Sequence, residues 1–154
     1  MKNTLAKELA LYVVIYSPIQ MAADLLENYL EKNSKTPRLG FQFIVDVATD
    51  WDESKAIAGE VGDYVVYARK KRGSEEWFVG AITDENSRTL SLKLDFLDPH
   101  KKYTAEIYRD GVNADWKTNP YDLVVEKKTL GREDVLVASL ASSGGIAIRF
   151  VPKK

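Results

Sequence analysis

The spacing of apolar residues changes near residue 53, and that change limits what the chain can fold into. Before it, Leu5, Leu9, Tyr12, Val13 and Tyr16 recur three and four residues apart. Ala10, Leu11, Val14 and Ile15 fill the remaining sides, which predicts a helix apolar nearly all round and therefore buried between layers. Ser17-Pro18 ends it, because a residue before proline is driven out of the α region. Residues 19–23 read as a short buried strand ending at Asp24, residues 33–37 as a loop, and residues 41–51 as a second helix through Phe41, Ile44, Val45 and Ala48. After residue 53 the period becomes two: Leu90, Leu92, Leu94 and Phe96 alternate with Ser91, Lys93 and Asp95, and Ile146, Ile148 and Phe150 repeat the pattern. Further strands are expected at 57–60, 64–70, 76–83, 102–109, 123–129 and 135–140, separated by turn chemistry such as Gly62-Asp63, Gly73-Ser74 and Asp110-Gly111.

The expected fold is therefore mainly β with N-terminal helices: an antiparallel sandwich of about eight strands over residues 54–154. Residues 1–53 would supply a helix-strand-helix that matches the closing piece of a (β/α)8 barrel. A whole barrel needs about 250 residues, and the chain has 154.

Composition removes several chemistries. The chain has no Cys, which excludes disulfides, thiolate metal sites and Cys nucleophiles. Its one His, His100, lies in the turn sequence Asp98-Pro99-His100-Lys101, a poor mounting for a catalytic base. A net charge of -1 argues against a nucleic-acid partner. The one basic run, Arg69-Lys70-Lys71-Arg72, reads as a solvated hairpin tip. No apolar run approaches the roughly 20 residues of a membrane span, and no signal peptide is visible, so no membrane partner is expected.

The carboxylates do not suggest a catalytic pair. Asp46 and Asp50 are one helical turn apart on a face read as solvated, and Asp84-Glu85-Asn86-Ser87 reads as a turn whose acid bonds its own backbone. Asp110, Asn113 and Asp115 bring calcium to mind, but their spacing does not match the helix-loop-helix calcium pattern. No catalytic residue and no metal ligand is assigned. Three residues are kept as candidate substrate contacts. Asp24 would end a barrel strand on the face where barrel sites sit, and Trp116 and Tyr121 bracket a polar loop where a ring could stack on sugar. Trp51 and Trp77 read as core or inter-domain residues.

Long blocks of sequence carry a family resemblance: Leu9 through Asp24, Glu27-Asn28-Tyr29, Phe41-Gln42-Phe43-Ile44-Val45-Asp46-Val47, Asp50-Trp51-Asp52, Trp77 through Arg88, Asp95-Phe96-Leu97, Tyr103 through Gly111 and the Gly144-Gly145 strand. In these the chain resembles the C-terminal region of glycoside hydrolase family 97, α-glucosidases and α-galactosidases of gut bacteria, over roughly residues 5–151. The resemblance implies an N-terminal sandwich, a catalytic barrel and a small C-terminal sandwich, with this chain corresponding to the barrel's last elements plus the last domain. It also implies that the catalytic carboxylates and calcium ligands lie upstream, so this chain carries no cofactor and inherits neither role. The parent would be periplasmic if exported.

The expectation is thus an accessory sandwich that supports a barrel without turnover of its own, and the remainder of that barrel is the expected partner. Two alternatives stand beside it. One is a carbohydrate-binding module taking an oligosaccharide. The other is a homo-oligomerising domain: the apolar surface between Leu5 and Leu26 cannot be left in water, so either this helix docks back onto the sandwich or a homodimer shares it.

Overall fold

The structure, a computed structural model, describes residues 2–22, 25–31 and 38–153. Eight strands follow two α-helices, α1 (Leu5–Val14) and α2 (Phe41–Asp46). They are β1 (Trp51–Glu60), β2 (Tyr64–Lys71), β3 (Trp77–Thr83), β4 (Arg88–Lys93), β5 (Lys102–Asp110), β6 (Leu123–Gly131), β7 (Val135–Leu140) and β8 (Gly145–Pro152). Six form one sheet in the order β1-β2-β3-β8-β5-β6, and β4 pairs with β7 in a second; every pairing is antiparallel. The sandwich expected from the period-two pattern is present.

The alternation that drives it is clearest in β7, where Leu136, Ala138 and Leu140 are buried and Val135, Val137 and Ser139 face out. Their inward side meets Val79, Ala81, Ile107, Ile146, Ile148 and Phe150 from the large sheet, with Leu94, Phe96 and Leu97 closing one side. Strand β3 behaves differently. Trp77, Val79 and Ala81 point into the sandwich, yet Phe78 on the opposite face is just as buried. Both faces of β3 and β8 are covered, because the helices form a third layer on the outside of the large sheet.

This third layer has its own core. Ala6, Leu9, Ala10 and Val13 form the buried stripe of α1 and meet Phe78, Tyr108 and Ala147 of the sheet. Phe43 of α2 wedges beside them, its ring centroid 5.2 Å from that of Tyr108 and 6.1 Å from that of Phe78. Two glycines let the helix come this close. A Cβ on Gly80 would stand 2.6 Å from the Ala10 carbonyl oxygen and 2.9 Å from Val13 Cβ, and one on Gly145 would stand 2.7 Å from Lys7 Cα. Thr4 caps the helix start, its side chain accepting from the Lys7 amide, while the Thr4 and Leu5 amides donate to Ser143 and Pro120 carbonyls.

Several expectations change. Helix α1 is buried on one face only, and its other side borders an open groove. Residues 19–22 form no strand, and Ile19 and Met21 are among the most exposed apolar side chains. A strand needs a hydrogen-bonding neighbour, and residues 19–22 pair with none of the described strands. The second helix stops at Asp46 and buries Phe43, while Val45 is exposed. Trp51, expected at its end, instead opens β1 and packs edge-on to Phe78 at 5.6 Å. That edge strand is irregular, with register shifts between Trp51 and Glu53 and between Ala56 and Ala58, a common way of blunting a free edge. The stretch through Leu94 and Phe96 is buried as expected, but strand pairing ends at Lys93. The 33–37 loop and Asp24 lie outside the described residues.

Candidate functional site

A groove of 710 Å³ runs along the outer side of α1. Residues 17–21 fold back over it: Tyr12 donates its hydroxyl to the Met21 carbonyl, and Gln20 donates its amide to the Tyr12 carbonyl. Leu5, Leu11, Ile15, Phe41 and Ile44 make the walls largely apolar. Tyr121, 65% exposed, stands at its border. Trp116 does not line the groove. It is half-buried, and the Lys117 ammonium lies 5.0 Å from its ring centroid. The loop carrying both rings is held by Asp115, which accepts from the Lys117 and Thr118 amides and pairs with Asn119 through the backbone. Of the three candidate contacts, then, Tyr121 reaches a concave surface, Trp116 does not, and Asp24 lies outside the described residues.

The carboxylates disperse into ion pairs and turns. Asp46 reaches Arg149 at 2.8 Å, and the same guanidinium meets Glu76 at 2.8 Å and Glu106 at 3.5 Å. That cluster ties the end of α2 to β5, β8 and the residue before β3, so Asp46 is not on a solvated face as expected. Asp50 pairs with Arg72. Asp84 accepts from the Asn86 amide at 3.0 Å, as its turn reading requires, and this bond is the main reason its pKa lies below the usual value. Asp98 does the same with the His100 amide.

The calcium idea does not fit. Asp110 is buried, and one carboxylate oxygen accepts from the Ala141 and Gly145 amides at 2.9 and 3.0 Å. Asp115 is committed to its own loop, and the Asn113 amide donates to Asp122. These groups do not converge on a cation, and among the described residues no cluster of acids and His suits a metal. Burial raises the Asp110 pKa, with hydrogen bonds from Thr4, Ala141 and Gly145 pulling the other way.

Arg69 overturns the solvated-tip reading. It is buried, donating through Nε to the Val13 carbonyl at 2.6 Å, through Nη2 to Val14 at 3.2 Å and through Nη1 to Ser54 at 2.6 Å. Those carbonyls are among the last four of α1, which lack helical partners and form the negative end of the helix dipole. The rings of Tyr67 and Tyr16 flank the guanidinium, at 4.9 and 5.8 Å. Desolvation lowers its pKa. Sequence could not show this cap, since its donor stands 55 and 56 residues beyond its acceptors.

The fold is that of a β-sandwich with a helical layer fused to its outer face, its clustered acids held by arginines. Residues 50–151 match the family model described as glycosyl-hydrolase 97 C-terminal, oligomerisation. The chain is 36% identical over 149 residues to a retaining alpha-galactosidase of Bacteroides thetaiotaomicron, a match covering 97% of this chain and 21% of that enzyme. It superposes at a TM-score of 0.93, with 54% identity, on a family 97 enzyme from a Pseudoalteromonas strain solved with panose, covering 99% of this chain and 23% of that one. A β-arabinopyranosidase shares the fold, at a TM-score of 0.72 and 23% identity. This chain belongs to glycoside hydrolase family 97, as its C-terminal accessory region, and spans about a fifth of the length of these full-length relatives.

Proposed function

We propose that the chain braces the catalytic barrel of a family 97 enzyme and takes part in its self-assembly, contributing no reacting group of its own. The observation that carries this reading is the second core. Helix α1 is capped by an arginine of β2, seated on glycines of β3 and β8, and buried against the outer face of the sheet. Whatever α1 belongs to is thereby held rigidly by the sandwich. Residues 1–53 would be the barrel's closing part and residues 54–154 the domain supporting it, in keeping with a C-terminal family match that begins at residue 50. Ile15, Tyr16, Ile19, Met21, Leu25, Leu39 and Val45 are exposed apolar side chains of the helical part, a surface suited to the remainder of the barrel or to a second copy across the face from Leu5 to Leu26. Calcium and the catalytic carboxylates would reside in the rest of the enzyme, which would act in the periplasm on α-glucosides or α-galactosides.

Incubation of this chain with p-nitrophenyl α-glucoside and α-galactoside should give no turnover, and measurable hydrolysis would contradict the reading. A second reading, sugar binding at the α1 groove, rests on the exposed Tyr121 ring. It requires maltooligosaccharide binding in calorimetric titration that Tyr121→Ala abolishes.

A further inference from the structure

The large sheet ends in two edge strands, β1 and β6, and they are built differently. Two register shifts interrupt β1, which makes it a poor template for a further strand. In contrast, β6 pairs with β5 without a shift from Leu123 to Gly131, holds no proline, and on its other side meets no described strand. Just before it, the Asp122 carbonyl accepts from the Gly111 amide at 2.8 Å, so the even-numbered residues of β6 turn their backbone groups toward β5. The odd-numbered residues turn theirs outward. Gly131 is satisfied by the following turn, its amide donating to the Asp134 carboxylate and its carbonyl accepting from the Asp134 amide. Val125, Lys127 and Thr129 are left presenting N–H and C=O groups away from the sheet, at a stretch where Lys127, Lys128 and Thr129 are exposed.

Edge lysines usually repel an incoming strand. Here they carry their own counter-charges: Lys127 lies 2.6 Å from Glu106, and Glu126 sits between Arg109 at 2.9 Å and Lys128 at 3.3 Å. The strand is also complementary to itself. A two-fold axis normal to the sheet at Lys127, its middle residue, aligns β6 along its whole length with an antiparallel copy. In that register the two Lys127 residues, and Val125 with the partner's Thr129, exchange the outward backbone bonds. Glu126 then stands opposite the partner's Lys128, and Lys128 opposite the partner's Glu126. Moving the axis by one residue sets Glu126 or Lys128 against its own copy and loses both opposite-charge pairs.

We propose that two copies of this chain join through β6, merging their large sheets into one continuous antiparallel sheet. The proposal rests on the self-assembly reading and names its surface. The family match described as oligomerisation spans residues 50–151, which include β6 and exclude α1. The apolar face from Leu5 to Leu26 is thereby left for the remainder of the barrel.

Sedimentation velocity of the full chain at rising concentration should show monomer passing into dimer. Lys128→Glu and Glu126→Lys each set like charges opposite one another on both sides of the axis, and each alone should weaken the dimer about tenfold or more. An equimolar mixture of the two variants regains both opposite-charge pairs and should dimerise as the parent does. Lys127→Pro removes an outward N–H and no bond to β5, so it should stay folded by circular dichroism and remain monomeric. Ile19→Glu, on the exposed apolar face, should leave the dimer unchanged. A chain monomeric at every concentration overturns the proposal together with the self-assembly reading. A dimer that survives Lys127→Pro or Lys128→Glu, that Ile19→Glu abolishes, or that folded charge variants fail to restore on mixing overturns the proposal alone and gives self-assembly to another surface. Unfolding by Lys127→Pro would also overturn it, because that amide would then be bonded within the chain. If Glu126→Lys misfolds through loss of its Arg109 pair, Lys128→Glu, at an exposed position, decides the matter by itself.

Discussion

Gly80→Ala separates the seating of α1 from every other contribution to stability. The three nearest atoms that its Cβ would meet all belong to the helix: the Ala10 carbonyl oxygen at 2.6 Å, Val13 Cβ at 2.9 Å and Val14 Cγ2 at 3.1 Å. An ordinary carbon-to-oxygen approach is about 3.3 Å or more, so the helix must retreat by about 0.7 Å. Two opposing effects set the sign. Replacing glycine in an extended strand normally stabilises by about 0.4–1 kcal/mol through the unfolded state. Overpacking a fitted contact costs about 1–3 kcal/mol. The buried stripe Ala6, Leu9, Ala10 and Val13 contributes roughly 5–7 kcal/mol as an upper bound, so a shift of this size removes a part of it rather than all. The net expectation is a loss of about 1–2 kcal/mol. Urea unfolding followed by circular dichroism should show a lower midpoint with little change in slope. A variant as stable as the parent, or more stable, would refute the close seating of α1 on β3.

Arg69→Met should cost about 2–3 kcal/mol, because the Val13 and Val14 carbonyls and the Ser54 hydroxyl lose their donor; urea midpoints measure it, and a cost near zero would deny the cap. Arg149→Met leaves Asp46, Glu76 and Glu106 without their common cation and should cost about 2 kcal/mol, with faster amide exchange in α2 than in β7. Asp110 has a folded-state pKa above its unfolded one, so it holds its proton more tightly when folded. Its contribution to stability therefore falls as pH rises from about 4, the unfolded value, through the raised folded value. Asp110→Asn retains one oxygen for the Ala141 and Gly145 amides and should remove that slope in urea midpoints taken from acid to neutral pH, while Asp110→Ala should lose about 2–4 kcal/mol.

Much of the fold was legible because its physics is local. Leu136, Ala138 and Leu140 alternate with outward residues, so period two revealed β7 directly. Asp84 and Asp98 bond amides two residues on, and such turns can be read from a few letters. What stayed hidden depends on partners far along the chain. Arg69 stands beside three other basic residues, and only the fold shows that it turns inward to a helix more than 50 residues earlier. Asp46 reads as a surface acid until β8 delivers Arg149. Trp51 continued a helical pattern that began at Phe41, but pairing with β2 and packing on Phe78 outweighed it. Residues 19–22 carry the apolar run of a strand, yet strand formation is decided by a neighbour, and they pair with none of the described strands. Of the candidate sugar contacts, a ring's exposure was guessable for Tyr121, whereas the Lys117 ammonium over Trp116 was not.

Amide hydrogen exchange of α1 tests the central claim most directly, namely that the helical layer and the sandwich form one body. The α1 amides after the first turn should exchange with the same protection as those of β3 and β8, and all three should respond together to low concentrations of urea. Exchange of α1 at the rate of an exposed loop, with β3 and β8 fully protected, would contradict it.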